Sequence, residues 1–130
     1  MTRYIDLADF LIIAEAVLGI DAKVLARSVR IDLAESALYS PSSSFDGIEF
    51  YQGFALKAAV LVMHLVKNHP LPDGNKRSSY VCLREFVHRN NYTWKTGAND
   101  EIVSTMIKVA SDDITLEELT KWISSRILPA

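Results

Sequence analysis

The stretch Ala55-Leu56-Lys57-Ala58-Ala59-Val60-Leu61-Val62-Met63-His64-Leu65-Val66 is apolar on almost every face of a helix, with Lys57 and His64 the exceptions. A helix that is greasy all round belongs at the centre of a fold, packed by neighbours on all sides. The pattern predicts a helix from Tyr51 to about Asn68 as the axis of an all-α bundle. Pro70 and Pro72 end it, because the residue before a proline is pushed out of the α region.

Working outward, Asp6 caps a helix reaching about Gly19, with Leu7, Phe10, Leu11, Ala14 and Leu18 at spacings of three and four. Asp21 opens a second helical stretch through Val24, Leu25, Val29 and Leu33 that dissolves near Tyr39-Ser40-Pro41. Residues 39–50 read as a mobile flap, with turn composition from Ser42 to Gly47 and a β-prone Ile48-Glu49-Phe50 that allows a small hairpin. Beyond the prolines, Asn75 is suited to N-cap a helix carrying Tyr80, Val81, Leu83, Phe86 and Val87, which Asn90-Asn91 stops. Tyr92-Thr93-Trp94 is a short extended link. A fifth helix runs from Asp100 to Ala110, capped by Asn99, and a sixth starts at Thr115 with the capping box Thr115-Leu116-Glu117-Glu118. The expected architecture is a compact bundle of about six helices with one flap before the central helix.

With 130 residues and no linker or repeat, residues 1–130 form one expected domain, long enough to bury a core without disulfides. A hydrophobic fraction of 49% with 23% charged residues is that of a soluble globular chain. A net charge of −2 argues against a basic nucleic-acid binder, so no direct nucleic-acid partner is expected. The single cysteine, Cys82, excludes an intrachain disulfide and a thiolate metal cage, which suits a reducing cytoplasm. No leader is visible after Met1, and the longest apolar run, Ala58–Met63, is far below the ~18–20 residues of a membrane span.

The chemistry is concentrated in His69-Pro70-Leu71-Pro72-Asp73-Gly74-Asn75-Lys76-Arg77. Asn75, Lys76 and Arg77 fall at a helix start, where free N–H groups and the helix dipole attract anions. Lys76 adds a charge and Arg77 a guanidinium that can grip phosphate oxygens in pairs. Gly74 lets the loop approach a ligand without a Cβ in the way. Asp73 is a lone carboxylate beside this anion site, and Mg²⁺ is commonly held by one or two carboxylates with phosphate and water. His69, at the end of the preceding helix, has the side chain best suited to take a hydroxyl proton near neutral pH. The same residue types also serve as helix-breaking punctuation, and spacing alone does not name the reaction.

This segment resembles the signature of the Fic/Doc family, H-x-F-x-(D/E)-(A/G)-N-(G/K)-R, matched at His69, Asp73, Gly74, Asn75, Lys76 and Arg77. The layout of flap, apolar central helix and signature loop, together with the length, resembles the Doc (death-on-curing) toxin branch. The likeness implies that His69 activates a target hydroxyl for attack on ATP, with Asp73 holding Mg²⁺ and Gly74, Asn75, Lys76 and Arg77 on the phosphates. Most members transfer AMP, and carry Gly after the Asn and a second Arg three residues past the motif Arg. Here Lys76 and Tyr80 stand at those places. Asn-Lys-Arg is the Doc pattern, associated with kinase activity and a nucleotide bound in the reverse sense, so phosphoryl transfer is the favoured expectation and AMP transfer the rival. A non-enzymatic helical binding module is the farther alternative.

Leu71 replaces the family's Phe, from which a looser loop anchor is expected. Phe45, Gly47, Ile48 and Phe50 are surface loop by default, and docking positions for the target by family likeness. The family's inhibitory helix, (S/T)-x-x-x-E-(G/N), has no match in the 130 residues. The likeness therefore implies a separate antitoxin and a target in the translation machinery, elongation factor Tu. His64 reads as a core or edge histidine, His88 as solvated, Cys82 as a buried hydrophobe, and Arg84 as a surface residue two turns past Arg77 that could reach phosphate or partner.

Overall fold

The structure, a computed structural model, describes residues 1–95, 97 and 99–130. Among these residues there are seven helices: α1 Leu7–Leu18, α2 Ala22–Ser28, α3 Ile31–Tyr39, α4 Phe54–Asn68, α5 Asn75–Arg89, α6 Asn99–Ala110 and α7 Leu116–Arg126. Two short antiparallel pairs accompany them, β1 Ser44–Phe45 with β2 Ile48–Glu49, and β3 Tyr92–Trp94 with β4 Ile127–Pro129. The fold is all-α, as the patterning predicts.

The apolar stretch is indeed the axis. α4 packs against α3, α5, α6 and α7, and its residues from Lys57 to Val62 are all buried. Among the described residues, the buried apolar side chains other than Val60 join in one cluster, with Phe10, Leu25, Leu61, Leu65, Leu83, Phe86, Leu119 and Ile123 nearly inaccessible. Both ends of the chain follow their caps. Asp6 and Asp9 form a reciprocal capping box on α1, which Gly19 closes at φ 69°, and Thr115 and Glu118 form another on α7.

There is one helix more than the sequence leads one to expect. The stretch beginning at Asp21 breaks at Val29 (ψ 137°) and Arg30 (ψ 87°), so α2 and α3 are separate. Val29 is buried there, and the Arg30 N–H donates to the Pro70 carbonyl at 2.9 Å. A continuous helix would have kept that N–H for its own turn, so a contact forty residues away decides the break. α4 also starts later than expected, at Phe54, after Gly53 at φ 92°. Asn99 is the first residue of α6 and not its cap. The link at Tyr92-Thr93-Trp94 is a paired strand, because the chain end returns as β4 to complete it.

The expected flap is a tight hairpin with Asp46 and Gly47 at positive φ (54° and 78°), the backbone that a two-residue Asp-Gly turn requires. Two residues per strand cannot hold themselves together. The hairpin is tied down by Lys57 in the first turn of α4, whose buried ammonium donates to Glu49 Oε2 at 2.6 Å and to the Tyr51 carbonyl. Burial of that charge is tolerable only with such partners.

Candidate active site

α4 ends in His69, whose backbone is left-handed (φ 51°, ψ 54°) and whose side chain is exposed. This conformation turns the chain sharply just after the last helical residue, Asn68, and Pro70 prevents any continuation. Leu71 then plunges into the core and is only 2% exposed. Its burial ties the loop to the core.

Asn75 departs from its expected place. The cap residue is Gly74, at φ 69°, and Asn75 is the first residue of α5 with its side chain turned back into the loop. Oδ1 accepts from the Leu71 N–H at 3.0 Å, and Nδ2 donates to the Leu71 carbonyl at 2.9 Å. A flipped amide would face both groups with the wrong atom, so its orientation is fixed. Nδ2 therefore offers its second hydrogen to His69 Nδ1, 3.2 Å away. In the neutral ring held this way Nδ1 is the acceptor and Nε2 carries the proton. Asn75 is buried, and its side chain is committed to shaping the loop. What it offers a ligand is its backbone N–H.

The amides of Asn75, Lys76 and Arg77 have no backbone acceptor among the described residues, since the first bond into α5 runs from Ser78 N to Gly74 O at 2.9 Å. Lys76 and Arg77 are exposed and form no salt bridge among the described residues, and neither does Asp73. His69, Asp73, Gly74, Asn75, Lys76 and Arg77 all line one cavity of about 560 Å³. The sequence-predicted loop residues are thus brought together around a single space, in which an imidazole faces a cationic helix start and a free carboxylate.

Gly74 has a reason within the fold, too, for being glycine. A Cβ there would strike the Leu18 side chain at the end of α1. The missing side chain lets α1 close on the start of α5, and the positive φ reinforces the choice. The hairpin residues Phe45, Gly47, Ile48 and Phe50 are exposed but line no part of this cavity. Their tether, Lys57, lies twelve residues before His69, about 18 Å along the axis of α4.

Other groups sort themselves plainly. His64 is half-buried, with burial lowering its pKa, and does not reach the cavity. His88 is exposed, and Cys82 is fully buried with its thiol pushed up to about 12, mainly by burial. No cluster of three His, Cys, Asp or Glu suited to a metal occurs among the described residues. Asp73 alone fits a cation such as Mg²⁺, which takes one or two carboxylates and leaves its other positions to phosphate and water. No helix among the described residues is long and apolar enough to cross a membrane.

One neighbouring feature escaped the sequence reading. Lys76 and Arg77 also border a second groove of about 550 Å³ between α5 and α6, lined by Tyr80, Arg84 and apolar side chains of α6. Arg84 was visible as a cation on the face of Arg77, but nothing in the sequence places α6 beside it.

Fold and cavity define a helical protein whose α5 start, with its free amides and two cations, is set against an imidazole. The Fic/DOC family matches residues 4–87, the whole signature loop included, and the chain belongs to that family. It is also similar to a protein of Mycolicibacterium smegmatis named Toxin Doc, with 30% identity over 120 residues that cover 92% of this chain and 89% of the relative.

Proposed function

We propose that this chain is the toxin of a toxin–antitoxin pair and a MgATP-dependent phosphotransferase acting in the cytoplasm. Its substrate is a Ser or Thr hydroxyl of a translation protein, elongation factor Tu by family likeness. The observation that carries the reading is the common cavity of His69, Asp73, Lys76 and Arg77 at the free amides of α5. Likeness to the Toxin Doc of Mycolicibacterium smegmatis supports the toxin role and a separate antitoxin partner.

In this reading His69 takes the proton of the target hydroxyl as its oxygen attacks the γ-phosphorus and the bond to the departing ADP breaks. The Nδ1 lone pair can serve if the hydroxyl displaces the Asn75 amide, and Nε2 can serve only in the other tautomer. Lys76, Arg77 and the three amides hold the phosphate oxygens, so most of the acceleration comes from positioning and electrostatics. Asp73 would hold Mg²⁺, which when bound neutralises charge on the phosphates. Lys76 fills the place where AMP-transferring members leave an open amide nest, which favours phosphoryl transfer. The hairpin, remote from His69, offers Phe45, Ile48 and Phe50 as a docking patch for the target's flanking chain.

The deciding experiment incubates the protein with elongation factor Tu and ATP labelled at either the α or the γ position. Transfer of γ label is expected. Transfer of α label would make it an AMP transferase, and transfer of neither would remove this target.

A further inference from the structure

The cavity has a cation that none of the roles above uses. Lys67, the next-to-last residue of α4, lines the same space as His69, Asp73, Lys76 and Arg77. Two residues apart on a continuous helix, Lys67 and His69 would point about 200° away from each other. The left-handed turn at His69 cancels that divergence, so both border the cavity from the end of α4. Lys76, Arg77 and the free amides border it from the start of α5.

At rest the Lys67 ammonium is paired with Asp112. Asp112 stands two residues past the end of α6, in left-handed backbone (φ 61°), where the negative end of the helix dipole gives a carboxylate no support. Ala110, the last residue of that helix, also lines the cavity, so the pair lies at its edge. The two side chains are 35% and 78% exposed, and an ion pair so open to water is weak. A terminal phosphate carries more charge than one carboxylate, and the flexible stem of a lysine lets its ammonium move from one to the other.

A phosphoryl group in transfer spreads its charge over three outer oxygens, and a cation brought against it stabilises that charge. Lys76 and Arg77 supply positive charge from α5, and Lys67 is the cation that α4 contributes, on the side of His69. We infer that Lys67 is a further phosphate ligand, which leaves Asp112 when the nucleotide binds and takes an oxygen of the terminal phosphate. This assignment deepens the nucleotide reading above and rests on it. Asp112 then competes with the nucleotide for one ammonium, and the affinity for MgATP reflects that exchange.

The test is calorimetric titration of the full chain, Lys67→Met, Asp112→Asn and the double variant with MgATP and, separately, with MgADP. Both positions are exposed, and thermal melting confirms that the variants fold. Lys67→Met should weaken MgATP binding by about tenfold, the worth of one charge-assisted hydrogen bond, and MgADP binding by less than about twofold. Asp112→Asn should tighten MgATP binding severalfold in the parent and leave it unchanged in the Lys67→Met background, because the carboxylate acts only through the lysine. Equal weakening of both nucleotides by Lys67→Met would take Lys67 off the terminal phosphate and overturn the inference. Equal tightening by Asp112→Asn in both backgrounds overturns it as well, since Asp112 would then repel the nucleotide by its own charge. So does unchanged MgATP binding in Lys67→Met, which would leave Lys67 a structural tie between α4 and the end of α6. In all three cases the nucleotide reading survives. If the unmodified chain binds neither nucleotide, that reading falls and the role of Lys67 with it.

Discussion

Asn75 grips Leu71 by both backbone groups, accepting from its N–H at 3.0 Å and donating to its carbonyl at 2.9 Å. The residue that opens α5 thereby fixes the chain two positions after His69, and its remaining N–H meets the imidazole. Loop shape and the hydrogen bonding of the His69 imidazole are set by one amide.

Replacing Asn75 by alanine should therefore lower stability and activity together. Two buried backbone groups of Leu71 lose their partner, at a cost of about 1–3 kcal/mol. Urea denaturation measures the stability, and γ-label transfer the activity. An unchanged midpoint would show that the two hydrogen bonds to Leu71 are not structural.

His69→Ala should leave the fold intact, because the side chain is exposed, while lowering turnover by about 10²–10⁴. Single-turnover kinetics with labelled ATP give the number. Near-normal turnover would remove His69 from the mechanism, and restored growth of cells expressing the variant would tie the chemistry to toxicity.

Leu71 is 2% exposed, one of the fully buried side chains of the core. Leu71→Phe, although it restores the family residue, should destabilise by about 1–3 kcal/mol through overpacking, and Leu71→Ala by about 2–5 kcal/mol. Thermal melts of the three proteins test this. A more stable phenylalanine variant would mean that the leucine anchor is loose after all.

Stability should fall with acid in a traceable way. The hydrogen bond from Arg89, 2.7 Å from Asp9 Oδ2, is the main reason the Asp9 carboxyl drops from the usual 3.8 to about 2. A carboxyl lowered by folding stabilises the protein above its unfolded value, and that contribution, about 1–2 kcal/mol here, is lost as pH falls from about 4 through about 2. Urea midpoints measured across this window should show a flatter slope in Arg89→Met than in the parent. Identical slopes would refute the assignment.

The hairpin depends on a single ion pair across β2 and α4. Glu49→Gln leaves the buried Lys57 ammonium with only neutral acceptors, so the segment around Asp46-Gly47 should be cut by protease sooner while α4 keeps its protection from hydrogen exchange. Equal cutting rates in variant and parent would show that Lys57 is not the tether.

Much of this was legible in the sequence because the signals are local. The capping boxes at Asp6 and Thr115, the helix end at Pro70, the Asp-Gly turn and the greasy axis of α4 all depend on residues within a few positions of one another. The membership of the site was legible for the same reason, since His69 to Arg77 is one continuous segment. The break at Val29-Arg30 was not, because it turns on a hydrogen bond to Pro70. Neither was the strand at Tyr92, whose partner is the strand β4 more than thirty residues on.

By itself, the sequence determined the helices apart from the split of α2 from α3, their axis and the set of side chains around the loop, because propensity, periodicity and proline act through the nearest neighbours. Tertiary structure alone decided that Gly74 makes way for Leu18, that Lys57 holds the hairpin far from His69, and that α6 lays an apolar groove beside Lys76 and Arg77. Those outcomes depend on which surfaces meet, and surfaces meet only when the whole core closes.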